Sequence, residues 1–154
     1  EPDMEAPYAY LYAGRHDRVC EIVRAGLEQC FGDTPGGMVG NDDSGGMSSW
    51  YVWNALGLFP VAGQDVFLIG SPLFEAARLR VAEDAVFSIA AAGNSSDRPY
   101  VMAATLNGEP LNRPYLRWAE IAAGGTLGLQ MSDAPTGWPS LRPPSVADAR
   151  PEVT

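Results

Sequence analysis

Two adjacent carboxylates in a glycine-rich loop are the residues of this chain best suited to chemistry. They lie in the segment Gly40-Asn41-Asp42-Asp43-Ser44-Gly45-Gly46. Glycines on both sides let the backbone and the carboxylates approach a ligand closely. Acidic pairs suit glycoside hydrolysis, in which one carboxyl group protonates the leaving oxygen and another activates water. Because Asp42 and Asp43 are neighbours, we expect them to serve the water-activating half only, with the acid supplied from elsewhere.

The surroundings of the acidic pair bear on its role. The loop from Asp33 to Gly46 is long for a connection between helices, and long loops in compact domains are often functional. Three aromatic residues that follow it could offer faces for stacking: Trp50, Tyr51 and Trp53. The alternative is a solvated turn in which one Asp caps the next helix. That alternative keeps a noncatalytic function open.

Other common kinds of site find little support. An EF-hand counted from Asn41 would need a Glu at its twelfth position, which is Val52. The only His, His16, lies at a predicted helix start, and we expect it to be a surface or capping residue. Cys20 and Cys30 fall in one predicted helix, about 15 Å apart along its axis, which is too far for a disulfide or a shared metal. Triads, zinc sites and phosphate-binding loops are therefore poorly supported.

The charge balance narrows the class of partner. The chain has 154 residues, 10 basic and 19 acidic, for a formal net charge of −9. That excess of acid disfavours nucleic acid and anionic membranes as partners, and no apolar run reaches the roughly 18 residues of a membrane span. With 17 glycines and 13 prolines, and with many alanines among its apolar residues, the chain has a thin core. We therefore expect it to depend on a missing partner.

Hydrophobic periodicity predicts a helical part followed by a part made of antiparallel strands, an α+β fold. The predicted elements are an aromatic stretch at 7–12, helices at 17–30, 50–56 and 118–122, and strands at 66–69, 79–81, 87–89, 100–106 and 127–131. Ser48 or Ser49 is expected to cap the second helix, and Asn107-Gly108 is the dipeptide of type I′ hairpins. The composition divides the chain into a helical part (1–62), a β-rich part (63–133) and a Pro-rich tail (134–154), which we expect to wrap the surface or to be disordered.

The acidic loop and the helix after it resemble a known family. The block from Asn41 to Val61 contains Asn-Asp-Asp-Ser-Gly-Gly-Met-Ser-Ser-Trp-Tyr-Val-Trp and then Ala-Leu-Gly-Leu-Phe-Pro-Val, and it closely resembles the carboxy-terminal signature of glycoside hydrolase family 92. Glu1-Pro2-Asp3 with Pro7-Tyr8 is similar to that family's Asn-Glu-Pro segment and the helix after it. Later matches are Gly70-Ser71-Pro72-Leu73-Phe74, Leu106-Asn107-Gly108, Pro114-Tyr115-Leu116 and Gly124-Gly125-Thr126-Leu127. The resemblance covers about residues 1–133.

Members of this family are calcium-dependent, inverting α-mannosidases that act on chain ends. The resemblance implies that residues 1–62 are the last helices of an (α/α)6 barrel and that the strands after them belong to a β-sandwich-like region. It implies that Asp42 and Asp43 are the base-side carboxylates, while the calcium ligands stay open. The mannose site would include Glu1, Asn41, Glu5 and Gly46.

The resemblance also implies that the catalytic acid is absent from this chain, because in the family it lies upstream of the Asn-Glu-Pro segment. The chain opens at Glu1 without an initiator Met, so we expect it to begin inside a longer protein. It should be inactive alone and work with the amino-terminal remainder of the same enzyme. We expect the enzyme to be secreted or periplasmic, and the Lys-free, Arg- and Ala-rich composition favours a bacterium.

Two positions depart from the family pattern and leave alternatives open. Gly46 stands where the family usually has Gln, and Glu5 stands where it usually has His, so the sugar pocket would be reshaped. The expected substrate is a glycan with terminal α-linked mannose, taken as α-1,2-linked. One alternative is hydrolysis of mannose-1-phosphate-6-mannose diesters, although Glu5 would repel a phosphate. The other is a noncatalytic carbohydrate-binding or structural module.

Overall fold

The computed structural model describes residues 3–145 and Asp148. It begins with a 3₁₀ helix at Ala6–Ala13, followed by helices α1 (His16–Gln29) and α2 (Gly46–Ala55). The later elements are β1 (Leu58–Pro60), β2 (Phe67–Ile69), β3 (Ala76–Arg80), β4 (Val86–Ala92), β5 (Tyr100–Leu106), β6 (Glu109–Pro110), β7 (Tyr115–Leu116), α3 (Trp118–Ala122) and β8 (Gly125–Ser132). The predicted α+β class is confirmed. Within residues 3–145, no helix combines the length and apolar character that crossing a bilayer requires.

Helix α1 forms because its apolar residues recur at helical spacing. The buried residues are His16, Val19, Cys20, Val23, Arg24 and Leu27. They fall on one face of a helix with 3.6 residues per turn, which agrees with the predicted helix over 17–30. Cys20 is buried and Cys30 is exposed, and neither forms a disulfide.

Helix α2 begins at Gly46, earlier than the predicted start at Trp50. The predicted caps, Ser48 and Ser49, lie inside the helix. The carboxylate of Asp42 accepts a hydrogen bond from the Ser48 backbone N–H at 2.8 Å. An acidic side chain that binds an N–H group of the first turn stabilises a helix start there. The prediction of a serine cap is therefore wrong.

The strands form two sheets. β1, β2 and β7 make a small antiparallel sheet in the order β1-β2-β7. The larger sheet has the order β3-β4-β8-β5-β6. Its pairs are antiparallel except β4 and β8, which run parallel with Phe87 opposite Gly125. The prediction of antiparallel strands is corrected for this pair, because β8 inserts between two strands that precede it in the chain.

Two hydrophobic clusters hold these elements together. The larger cluster lies against the five-stranded sheet and includes the fully buried Phe87 and Leu127. The smaller cluster joins the 3₁₀ helix, α1 and α2 to β1 and β2 through residues such as Tyr8, Trp50 and Leu68. The Tyr8 ring stacks on Phe59 with 4.6 Å between centroids. The helices are therefore packed directly against the small sheet.

The described part of the Pro-rich tail is a surface wrap that is anchored at several points. Trp138 reaches the larger cluster, and its indole N–H donates to the Leu111 backbone oxygen at 2.7 Å. Further along, the Tyr12 hydroxyl donates to the Pro144 backbone oxygen at 3.1 Å. The wrap therefore returns to the 3₁₀ helix. Residues 146–147 and 149–154 lie outside the described residues.

His16 is buried, which corrects the prediction of a surface or capping residue. Its Nε2–H donates to the Ile69 backbone oxygen at 2.9 Å, and its Nδ1 lies 3.4 Å from the Cys20 thiol. Its ring meets Trp138 edge to face at 4.8 Å. Burial lowers the pKa of His16 to about 4, so the ring is neutral at pH 7. His16 precedes Val19 and Cys20 by three and four residues, and this spacing could have revealed its burial.

A buried arginine ties α1 to the loops around the larger sheet. Arg24 Nε donates to the Ser71 hydroxyl at 2.9 Å, and its Nη2 donates to the Asn94 side-chain oxygen. The Ser71 hydroxyl donates onward to the Pro99 backbone oxygen at 2.6 Å. A buried charge is tolerated only with such hydrogen bonds. This network fixes α1 beside the segments that precede β3 and follow β4.

Candidate functional site

The loop that carries the acidic pair makes a tight reversal before α2. Asp43, Ser44 and Gly45 have successive positive φ values of 41°, 60° and 89°. Such values suit glycine, and other residues occupy them sparsely. Each non-glycine residue held there costs of order 1–3 kcal/mol, and strain of this kind clusters at functional sites. The reversal sets Asp42 against the first turn of α2.

Asp42 is half-buried and firmly held. Its Oδ1 accepts the Ser48 backbone N–H at 2.8 Å, and its Oδ2 accepts the Ser48 hydroxyl, also at 2.8 Å. These two bonds hold the pKa of Asp42 below its usual range, and the bond from the Ser48 backbone N–H has the larger effect. Asp42 therefore stays ionised and fixes the loop to the helix. Ser48 was predicted only as a possible cap, and no sequence signal marked it as the partner of this carboxylate.

Asp43 differs from its neighbour. Its side chain is exposed. Its backbone oxygen accepts the Gly46 N–H at 3.3 Å, but within residues 3–145 no donor binds its carboxylate. The structure therefore leaves Asp43 open to water while Asp42 is engaged. Asn41, just before the pair, is also exposed.

A groove of about 190 Å³ brings together two of the predicted sugar-contacting residues. It is lined by Met4, Glu5, Gly46, Ser49, Trp50, Trp53, Phe59, Pro60 and Ala62. Glu5 and Gly46 thus lie in one cleft, although Asp42 and Asp43 do not line it. Of the three aromatic residues predicted to stack, Trp50 and Trp53 line this groove, and Tyr51 lies elsewhere. Glu1 lies outside the described residues.

Met4 lines the groove and was missed by the sequence analysis. Its side chain comes within 3.7 Å of the position that a Cβ atom on Gly46 would occupy. The Trp50 indole N–H donates to the Met4 backbone oxygen at 3.0 Å. Met4 therefore lies over the start of α2, within ordinary van der Waals distance of position 46.

A buried hydrogen-bond chain joins the 3₁₀ helix to α2. The Tyr8 hydroxyl donates to the Asn54 side-chain oxygen at 2.6 Å. The Asn54 side-chain N–H donates to the Trp50 backbone oxygen at 2.7 Å. Because Asn54 is fully buried, removing the partner of either bond would leave a buried polar group unsatisfied and would be costly.

The described residues do not fit a calcium site on their own. Calcium takes six to eight oxygen ligands, commonly including several carboxylates. No group of three or more His, Cys, Asp or Glu side chains within residues 3–145 is arranged to hold a metal ion. The Asp42 carboxylate, the most fixed in the loop, already accepts two bonds from Ser48. A calcium ion would therefore need oxygen ligands other than a cluster of carboxylates from the described residues.

Comparison with known proteins identifies the family. Residues 1–133 match the glycosyl hydrolase family 92 catalytic domain. A protein from Arthroderma benhamiae named an uncharacterized secreted glycosidase is 33% identical over 141 residues, which are 90% of this chain and 18% of that protein.

Solved structures agree with this match. A family 92 alpha-mannosidase from Bacteroides thetaiotaomicron, in complex with mannoimidazole, is 31% identical with a TM-score of 0.89, over 95% of this chain and 20% of that one. A family 92 inverting mannosidase from the same species is 35% identical with a TM-score of 0.87, over 96% of this chain and 21% of that one. The chain thus spans about a fifth of the length of these relatives. It belongs to glycoside hydrolase family 92.

Proposed function

We propose that this chain is the carboxy-terminal part of a glycosidase that removes terminal α-linked mannose from glycans with inversion. Two relatives are named an alpha-mannosidase and an inverting mannosidase, which supports the substrate class and the stereochemistry. The observation within the chain that carries the proposal is the exposed Asp43 carboxylate beside an Asp42 that is held in place. An α-1,2 linkage is proposed from the family resemblance alone.

In this mechanism Asp43 is the general base. A carboxylate with no hydrogen-bond donor from the described chain has its lone pairs available for a water molecule. Asp43 takes a proton from that water as the water oxygen bonds to the anomeric carbon. The bond from this carbon to the leaving oxygen breaks on the opposite face, and an acid from the preceding part of the enzyme protonates that oxygen. The released sugar has inverted configuration.

Asp42 is a positioning residue in this proposal. Its bonds to Ser48 anchor the strained segment at the start of α2, and this segment includes Asp43. Its lowered pKa makes it a weaker proton acceptor than an ordinary carboxylate. The proposal therefore separates the two roles that the sequence assigned jointly to the pair.

The groove that contains Glu5 and Gly46 is the proposed contact surface for mannose. Trp53 supplies an aromatic wall, and the Glu5 carboxylate can accept hydrogen bonds from sugar hydroxyls. Binding sites for small molecules commonly combine apolar walls with a few polar groups that fix the orientation of the ligand. Asn41 and Glu1 are proposed as further contacts from the family resemblance.

The remaining family features are also proposals for the whole enzyme. Residues 1–62 would complete an (α/α)6 barrel, and the strands after them would belong to a β-sandwich-like region. The catalytic acid and the ligands of a calcium ion would come largely from the amino-terminal remainder. Secretion is supported by the name of the Arthroderma benhamiae relative, and a bacterial periplasmic or secreted enzyme is proposed from composition.

A noncatalytic carbohydrate-binding module is the second candidate. One observation favours it, because both oxygens of Asp42 make only local contacts, as a helix cap would. Hydrolysis of mannose-1-phosphate-6-mannose diesters ranks third, because the Glu5 carboxylate in the groove would repel a phosphate.

The test is an assay of the full-length enzyme on α-1,2-mannobiose, with proton NMR to follow the first product anomer. We expect β-mannose to appear first, and we expect a calcium chelator to stop the reaction. Binding of the disaccharide without hydrolysis would favour the noncatalytic module. α-Mannose as the first product would contradict an inverting mechanism.

A further inference from the structure

A glycosylation sequon lies in the loop between β4 and β5. Asn94-Ser95-Ser96 fits the pattern Asn-X-Ser/Thr, in which X is any residue except proline, and the chain contains this pattern once. An asparagine that carries a glycan normally lies on a surface loop, because the glycan is bulky and hydrated. Here Ser95 and Ser96 are exposed, whereas Asn94 is only 7% exposed. The sequon therefore exposes its two serines and buries the asparagine that would be modified.

Both polar atoms of the Asn94 side chain bind partners in the interior. The side-chain oxygen accepts a hydrogen bond from Nη2 of Arg24, and the side-chain Nδ2–H donates to the Pro72 backbone oxygen at 3.2 Å. Arg24 is also only 7% exposed, and its Nε donates to the Ser71 hydroxyl at 2.9 Å. Asn94 therefore supplies a hydrogen-bond partner to a buried charge, which is tolerated in the interior only with such partners.

Glycan attachment would take place on an atom that this network uses. In the transfer, Nδ2 of Asn94 loses a proton and bonds to the anomeric carbon of a lipid-linked oligosaccharide pyrophosphate, while the bond from that carbon to a pyrophosphate oxygen breaks. The modified Nδ2 keeps one N–H, but the sugar on it needs space that Pro72 and Arg24 occupy. Because protein interiors are close-packed, the sugar would displace these groups. Any further part of the protein can only add to the burial of Asn94.

The topology of the large sheet leaves Asn94 accessible during synthesis. Strand β8 lies between β4 and β5 in this sheet, although it follows both of them in the chain. The loop that joins β4 to β5 therefore cannot reach its final position until residue 132, the end of β8, has been made. Until then the sequon is part of an incompletely folded chain.

We propose that Asn94 can be N-glycosylated only while the chain is unfolded, and that a glycan on Asn94 prevents α1 from docking beside the segments that precede β3 and follow β4. A eukaryotic secretory pathway supplies the sugar donor and the transferase. Once the hydrogen bonds between Arg24 and Asn94 have formed, the folded protein is resistant to the modification. This inference does not rest on the proposed catalysis, because it concerns the folding of the chain and not the acidic pair.

Secretion of the full-length enzyme from a yeast host tests this proposal. Ser96→Ala removes the sequon and keeps Asn94, and Ser96 is exposed with no hydrogen bond to its hydroxyl within residues 3–145. Ser95→Ala is the matched control, because Ser95 is also exposed and its replacement keeps the sequon. Peptide mass spectrometry measures the glycan on Asn94 in the secreted fraction and in the fraction retained in the cell.

We expect unmodified Asn94 in the secreted fraction and glycosylated Asn94 in the retained fraction. We also expect a severalfold higher secreted yield for Ser96→Ala than for the parent or for Ser95→Ala. The same three proteins made in a bacterial host that lacks N-glycosylation should have equal yields and equal melting temperatures. This comparison separates the effect of the glycan from the effect of each substitution.

Three results would overturn the proposal. The first is a glycan on Asn94 in secreted enzyme that melts at the temperature of the bacterial protein. The second is the absence of a glycan from both fractions, since the unfolded chain would then not be modified. The third is an equal secreted yield for the parent and Ser96→Ala. No readout depends on turnover, so an Asp43→Asn enzyme should behave like the parent, and failure of the proposed catalysis is distinguishable.

Discussion

Ser48 donates its backbone N–H to one oxygen of Asp42 and its hydroxyl to the other, at 2.8 Å in both cases. One residue thus satisfies both oxygens of one carboxylate and leaves the next carboxylate in the chain, Asp43, without a donor from the described residues. The two adjacent aspartates therefore differ in how available their carboxylates are to bind a water molecule. This difference is the basis for assigning the base to Asp43 and the positioning role to Asp42.

The first prediction concerns the Ser48 hydroxyl. Ser48→Ala removes one of the two bonds to Asp42 and keeps the backbone bond. Because hydrogen bonds to charged groups contribute roughly 1.5–3 kcal/mol, we expect about a tenfold loss in kcat of the full-length enzyme, with little change in KM. Ser96→Ala is the control, since Ser96 is exposed, lies outside the groove, and its hydroxyl makes no bond within residues 3–145. Equal rates for the two variants would show that the Ser48 hydroxyl does not position the loop.

The second prediction concerns acid stability. The buried His16 has a pKa of about 4 when folded against 6.5 for the exposed group, so the unfolded state binds the extra proton between these values. Burial of the neutral His16 ring therefore contributes fully to the free energy of unfolding above pH 6.5, and this contribution is lost as the pH falls toward 4. Between pH 7 and pH 5 we expect the free energy of unfolding to fall by roughly 2 kcal/mol. Denaturant unfolding of the full-length enzyme at these two pH values measures it.

The control for this prediction is His16→Gln, which cannot be protonated. Other groups also titrate between pH 7 and pH 5, so the informative quantity is the difference in pH dependence between the two proteins. We expect the variant to lose less stability on acidification than the parent. The same pH dependence in both would mean that His16 is not held neutral.

The third prediction concerns packing between α1 and α2. A Cβ atom on Gly26 would lie 2.9 Å from the end of the Trp50 ring, which is stacked against Phe31. Overpacking costs roughly 1–3 kcal/mol, more than the helix propensity that Ala gains over Gly, about 1 kcal/mol. We expect Gly26→Ala to lower the melting temperature of the full-length enzyme. Gly36→Ala should not, because beyond its chain neighbours no described atom lies within 4 Å of the position that its Cβ would occupy.

Local signals in the sequence were sufficient for many elements. Strand β5 and helix α3 coincide with the predictions at 100–106 and 118–122. Asn107 and Gly108 have φ values of 52° and 87°, as a type I′ turn requires, and join β5 to β6. Each of these features depends on residues that are close together in the chain.

Features that depend on distant contacts were not predictable in this way. The parallel pairing of β4 with β8 and the pairing of β2 with β7 depend on hydrogen bonds between strands that are distant in the chain. The position of Trp138 in the larger cluster needs the tail to return across the fold. At the site, the sequence drew attention to the acidic pair, but only the reversal at Asp43 and Ser44 gives its two carboxylates different surroundings.

The most direct test of the account is the turnover of Asp43→Asn in the full-length enzyme. Asn tolerates the left-handed backbone at this position and cannot accept the proton from water. We expect kcat to fall by about 10²-fold or more, with an unchanged melting temperature, and Asp42→Asn to lose less activity but more stability. Near-normal turnover of Asp43→Asn, or a larger loss of activity in Asp42→Asn, would contradict the assignment of Asp43 as the base.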